Sequence, residues 1–205
     1  NGRSALDAAE LMSVGANYLR EHVTSDVRIH YVYKEAGTAP NIVPDRASVW
    51  YYVRAMSREA IEDTYDRLVK VAKGAAMMTE TELEIEFLGG CYNTMPNMYM
   101  ANMTYDIMKQ IPIPQYTEEE LKFADELNKQ SPQYESYKAS GALEKGSMHT
   151  EIKDLSPVNS YGSTDVGDVQ HVCPCVQVRT ACWNMAAPGH SWQVTACSGM
   201  SIGHK

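Results

Sequence analysis

The sequence holds no apolar run near the ~20 residues that cross a bilayer. No charged-then-apolar leader opens it. It has no surplus of positive charge: 18 Lys and Arg against 26 Asp and Glu leave a formal charge of −8, which excludes a nucleic-acid grip built on bulk charge. It has no disulfide framework, because five cysteines in 205 residues is an odd number, and Cys173-Pro174-Cys175 is not the Cys-x-x-Cys of redox sites or zinc knuckles. Internal repeats and low-complexity tracts are missing too. These absences predict a soluble, cytoplasmic protein with reduced thiols, no nucleic acid and no membrane among its partners. The chain starts at Asn1 within a helix-like pattern and stops at Lys205 with no closing element. That predicts a piece of something longer.

One further absence is local. Residues 171–205 contain no acid and two bases, but three of the six histidines (His171, His190, His204) and four of the five cysteines (Cys173, Cys175, Cys182, Cys197). An acid-free His/Cys segment suits metal or anion binding. It equally suits a buried core, since free Cys is among the most buried residue types.

What is present reads as alternating elements. Ala5, Leu6, Ala9, Leu11, Met12, Ala16 and Leu19 recur at helical spacing over 3–22. Residues 27–34 and 46–55 are strand-like, separated by a Pro/Gly loop over 36–45. Residues 58–76 are helical, with Gly74 as a stop. Residues 81–88 alternate Leu83, Ile85 and Phe87 with Glu82, Glu84 and Glu86, the pattern of a half-buried strand. With one strand added in front, the order becomes β-α-β-β-α-β, the ferredoxin-like split unit. Beyond Gly89-Gly90, a Met-rich stretch over 97–111 predicts a helix whose methionines fill a core. Thr117 with Glu120 makes a capping box for a helix over 117–130. Residues 131–160 are polar and predict a long surface excursion.

Three segments carry groups suited to chemistry. His30 on a strand, followed by a stiff loop presenting Asn41, can supply two donors to an oxyanion. A sheet histidine and a turn asparagine explain them as well. Asp165 and Asp168 sit among small residues, placed for a metal or substrate or simply for turn chemistry. His190, in Pro188-Gly189-His190-Ser191-Trp192-Gln193, is a loop imidazole suited to metal ligation.

Gly2-Arg3-Ser4-Ala5-Leu6-Asp7-Ala8-Ala9, Ala39-Pro40-Asn41-Ile42-Val43-Pro44-Asp45, Ser163-Thr164-Asp165-Val166-Gly167-Asp168-Val169 and Pro188-Gly189-His190-Ser191-Trp192-Gln193 occur in that order. Together they resemble the dinuclear metal amidohydrolases of the aminoacylase and glutamate-carboxypeptidase superfamily. The likeness is strongest to the branch that acts on p-aminobenzoyl-glutamate. It implies an α+β ferredoxin-like lid and dimerisation domain over 1–112, without its first strand. That lid would be inserted in an α/β metallopeptidase-type catalytic domain, of which 113–205 is the C-terminal part. It implies hydrolysis of an amide bond in an N-acyl amino acid, with two divalent ions, zinc or manganese. His190 corresponds to a metal ligand, Asn41 to a lid contact with substrate, and His30 to a further lid contact. The partners implied are a small-molecule amide substrate, a second copy joined through the lid, and a homologous second subunit. The remaining metal ligands and the carboxylate base are expected ahead of Gly2, so this chain alone is expected to be inactive. The competing reading is a non-catalytic dimerisation or binding module built on the ferredoxin-like unit.

Overall fold

The computed structural model describes residues 2–153 and 160–205. The chain divides into two compact units, Asn1–Met95 with Pro157–Pro174, and Pro96–Ser156 with Cys175–Lys205.

The first unit begins with α1 (Ala5–Leu19), started by Ser4, whose Oγ accepts from the Asp7 N–H at 3.2 Å. Such a cap satisfies one of the orphan donors at a helix start. Strands β1 (Arg28–Glu35) and β2 (Ser48–Arg54) pair antiparallel, with Ile29 opposite Val53 and Val32 opposite Trp50. The register breaks between Tyr33 and Glu35. Helix α2 (Arg58–Thr79) is capped by Ser57, which accepts from Ala60 N–H at 3.3 Å. The order helix, strand, strand, helix expected over 3–76 is the order observed.

Periodicity explains the packing. Ala9, Ser13, Ala16 and Leu19 of α1 and Thr64, Leu68, Ala72, Ala75 and Ala76 of α2 are the buried stripes. The core joins Ala16, Leu19, Val27, Ile29 and Leu68, with Tyr51 and Val53 against it. Each large apolar side chain so buried contributes roughly 1.5–3 kcal/mol. The helices approach closely at Gly15, where a Cβ would stand 2.6 Å from Val71 Cγ1. Ser13, buried between helix and sheet, donates to the Ala9 carbonyl at 2.9 Å and meets the Tyr33 and Tyr51 hydroxyls at 2.9 and 3.2 Å. Burial raises the Tyr51 phenol above its usual range.

Two expectations change here. Gly74 does not stop α2, which runs on to Thr79 and ends at Glu80 in the left-handed conformation, φ 54°. The stripe continues through Ala75 and Ala76, and that packing outweighs the roughly 1 kcal/mol a mid-helix glycine costs. Residues 81–88 form no strand among the described residues. A period of two gives a strand only where a neighbouring backbone completes its hydrogen bonds. The described sheet has two strands, and Leu83, Ile85 and Phe87 stay exposed.

The second unit holds α3 (Met98–Met108), α4 (Glu118–Lys129) and α5 (Tyr134–Ala139). The chain then returns to the first unit for the short α6 (Val166–Gln170) and ends in the second with α7 (Trp192–Ser198). The capping box of α4 forms as read: Glu120 N–H donates to Thr117 Oγ1 at 3.2 Å, and Thr117 N–H to Glu120 Oε2 at 2.8 Å. The core of the second unit is Ala124, Leu127, Met148, Cys197 and Ile202. The methionines of α3 do not fill it; no residue of α3 is buried, and Met98 and Met103 are exposed. The stretch after 130 is more than a surface excursion. It forms α5 and a short 3-10 turn, and Met148 is 1% exposed. Residues 154–159 of that stretch lie outside the described residues. Among the described residues no helix is long and apolar enough to cross a membrane.

Candidate functional site

In the second unit, His190 sits immediately before the Ser191 cap of α7. Ser191 Oγ accepts from Val194 N–H at 3.4 Å. His190 takes φ 61°, a left-handed conformation uncommon for a residue with a Cβ. Its imidazole is thereby presented at the surface, lining a cavity of about 670 Å³ with Trp183, Gly189, Trp192, Val194 and Thr195.

The loop leading to His190 is tied down by a buried amide network. Asn128 Oδ1, on α4, accepts from Asn184 Nδ2 at 2.9 Å and from Ala186 N–H at 2.8 Å. Asn128 Nδ2 donates to the Ser147 carbonyl at 3.2 Å, and Ser131 Oγ to the Ala186 carbonyl. Asn128 and Asn184 are both 0% exposed. Buried amides of this kind hold a loop in one arrangement, because each lost partner leaves a costly unsatisfied group.

Of the four cysteines in the acid-free segment, Cys197 alone is in the core; Cys173 is exposed, and Cys175 and Cys182 are half-buried. Burial pushes the Cys197 thiol up, away from the thiolate form that ligates metals. Among the described residues no three His, Cys, Asp or Glu groups converge as a metal site.

In the first unit, Asn41 lies in the exposed turn between β1 and β2. The loop is fastened at its end, where Ala5 N–H donates to the Pro44 carbonyl at 2.9 Å, and within itself by Ile42 N–H to the Ala39 carbonyl at 3.1 Å. Gly37, at φ 105°, allows Pro44 to close over it; a Cβ there would meet Pro44 Cγ at 2.9 Å. His30 is exposed on the outer face of β1, opposite Tyr52. No hydrogen bond joins His30 to Asn41 among those found for the described residues.

Asp168, unlike Asp165, does something the sequence did not show. Asp165 precedes α6. Asp168 Oδ1 accepts from Tyr92 N–H at 3.2 Å, and Gln170 Oε1 from Met95 N–H at 2.7 Å. His171 Nε2 lies 3.2 Å from the Asn93 carbonyl, and its ring is 4.7 Å from that of Tyr92. A Cβ at Gly167 would stand 2.1 Å from the Tyr92 carbonyl oxygen, so only glycine fits. This motif clamps residues 92–95 in place.

Trp183, Asn128 and Gly167 were missed by sequence reasoning. Asn128 had a visible signal, a polar residue beside Ala124 and Leu127 on the apolar stripe of α4. Gly167 lay in a quoted motif, but its contact with Tyr92 depends on a segment 75 residues away, and Trp183 had no signal.

Comparison with known proteins adds the class. No protein-family model matches the chain. Its relatives are named hydrolases and dipeptidases, and the similarity to one of them runs through the whole chain. One relative is a subunit of the p-aminobenzoyl-glutamate hydrolase of Escherichia coli (strain K12), 35% identical over 100% of this chain and 46% of that protein. The chain is 30% identical to the Xaa-Arg dipeptidase of Mus musculus over 49% of its own length and 24% of that protein. It is 26% identical to the indole-3-acetyl-aspartic acid hydrolase of Enterobacter agglomerans, over 47% of this chain and 22% of that protein. The chain spans less than half the length of each of these relatives.

Proposed function

We propose that this chain is part of a hydrolase that cleaves the amide bond of an acyl amino acid, with p-aminobenzoyl-glutamate as the substrate. The observation that carries this reading is the 35% identity running through the whole chain. The other relatives' names describe the same linkage, an amide formed on an amino acid. Within the reading, residues 1–112 are part of a ferredoxin-like lid and residues 113–205 the C-terminal part of a metallopeptidase-type domain. The protein is cytoplasmic, and a homodimer through the lid, a homologous second subunit, or both complete the assembly. The relative's designation as a subunit supports the second of these.

Asn41 has the chemistry of a substrate contact. Its carboxamide N–H is a neutral donor on a fastened, exposed loop, suited to a carbonyl oxygen that gains negative charge during attack. A well-aimed donor of that kind is worth about 2.7–4 kcal/mol. His30 offers a second donor from the same unit. The two zinc or manganese ions that the resemblance implies would polarise the amide and acidify a water when bound. They need donors beyond His190, since the described residues hold no three-donor cluster.

The test is release of p-aminobenzoate from p-aminobenzoyl-glutamate by the longer protein that contains this chain, followed by chromatography. Release is expected, with kcat falling about 10²–10³-fold in Asn41→Ala. No release with metal supplied would overturn the reading and favour a non-catalytic module.

A further inference from the structure

The outer face of the β1–β2 pair is aromatic and basic, on a chain whose formal charge is −8. Ile29, Tyr31 and Tyr33 of β1 face the helices, so Arg28 and His30 point the other way, opposite Arg54 and Tyr52. Trp50 and Tyr52 lie side by side there, ring centroids 5.2 Å apart, and both are exposed. Lys34 Nζ stands 5.7 Å from the Trp50 ring centroid and Arg54 Cζ 5.8 Å from that of Tyr52. From Arg28 to Lys34 and from Trp50 to Arg54 the outward positions carry no acid. Glu35 follows the break in register and is engaged by Arg46 at 3.3 Å.

Large exposed aromatics on a sheet cost water-exposed apolar area unless something covers them. Three cations border the rings: Arg28, which also lies over the Tyr161 ring at 4.8 Å, Arg54, which also donates to the Tyr161 carbonyl at 3.0 Å, and Lys34; they repel a basic partner and favour an anionic one. A ligand that satisfies both demands has a flat ring for the indole and phenol and carboxylates for the bases. We propose that Trp50 and Tyr52 form a platform that binds the ring of an aromatic carboxylate. The identity of that ligand as an aromatic acyl amino acid rests on the hydrolase reading; the platform itself does not. The platform makes the protein selective for aromatic over aliphatic acyl groups. Ring stacking of this kind is worth about a tenfold change in affinity.

The experiment compares the longer protein with its Trp50→Ala and Trp50→Phe variants. Equilibrium dialysis measures binding of p-aminobenzoyl-glutamate and of N-acetylglutamate, and kcat/KM is measured for both. The expected result is an approximately tenfold loss of the preference for the aromatic ligand in W50A, largely restored in W50F. An unchanged preference overturns the platform. So does unchanged binding accompanied by a lower oligomeric mass of W50A, which would assign the face to a second copy of the chain. If the unmodified protein hydrolyses neither compound, the hydrolase reading fails, and the dialysis alone decides the platform. Failure of the unmodified protein to bind the aromatic compound overturns it.

Discussion

His190 combines two properties that rarely coincide without reason: a left-handed backbone and an imidazole at the mouth of a cavity. A non-glycine residue held at positive φ costs of order 1 kcal/mol or more. In the longer protein, His190→Ala is expected to lower bound metal, measured by elemental analysis after dialysis. An unchanged metal content would refute the ligand role. Asn128 supports the same loop from below. Asn128→Ala leaves Asn184 Nδ2 and the Ala186 N–H without their partner, while the Ser147 carbonyl keeps the Met185 N–H at 2.9 Å. At about 1–3 kcal/mol for each buried unsatisfied group, the variant should lose roughly 2–5 kcal/mol, read as a lower urea midpoint. A midpoint equal to wild type would show that the network does not hold the loop.

At the scale of elements, the start of α4 is joined to the last residues of the chain by one carboxylate. Glu120 closes the capping box with Thr117 and also accepts from Lys205 Nζ at 2.6 Å and from Ser201 Oγ at 2.9 Å. The Lys205 ammonium, aided by the Thr117 N–H, lowers its pKa from 4.5 to about 2. The folded form thus binds this proton less readily than the unfolded form. Its contribution to stability is complete above pH 4.5 and is lost as the pH falls through about 2. Glu120→Gln should therefore flatten the dependence of Tm on pH within that window and leave the slope above it unchanged. An identical acid profile in the variant would exclude the linkage. The capping box was legible in four residues of sequence because capping is local. The strand expected at 81–88 was equally clear in pattern and did not form. Its alternation of Leu83, Ile85 and Phe87 with glutamates sets which side chains share a face. It does not supply the neighbouring backbone that a ladder needs.

For the whole molecule, the chain spans 46% of the relative that it matches throughout. The resemblance assigns the base and most metal ligands to residues outside these 205. The isolated chain is expected to show no hydrolysis of p-aminobenzoyl-glutamate, even with zinc or manganese added, while the longer protein turns it over. Turnover by the isolated chain in a chromatographic assay would overturn that division of labour. Two of the residues in the motifs that carried the resemblance, Asn41 and His190, lie on loops, where chemistry-bearing residues are displayed by a scaffold.

Helical and strand periodicity, the capping signals and the acid-free tail depend on neighbours a few residues apart, and the sequence by itself determined them. The formal charge of −8 likewise argued against a nucleic-acid grip built on bulk positive charge. Tertiary structure alone decided that α2 runs through Gly74 and that Met148 is core while the α3 methionines are not. It also decided that Asp168 and Gln170 grip the backbone of residues 92–95, and that Asn128 and Asn184 meet beneath the His190 loop. Each of these outcomes depends on which distant segment arrives as a partner. Burial and buried hydrogen bonds are properties of such pairs, and no local pattern encodes them.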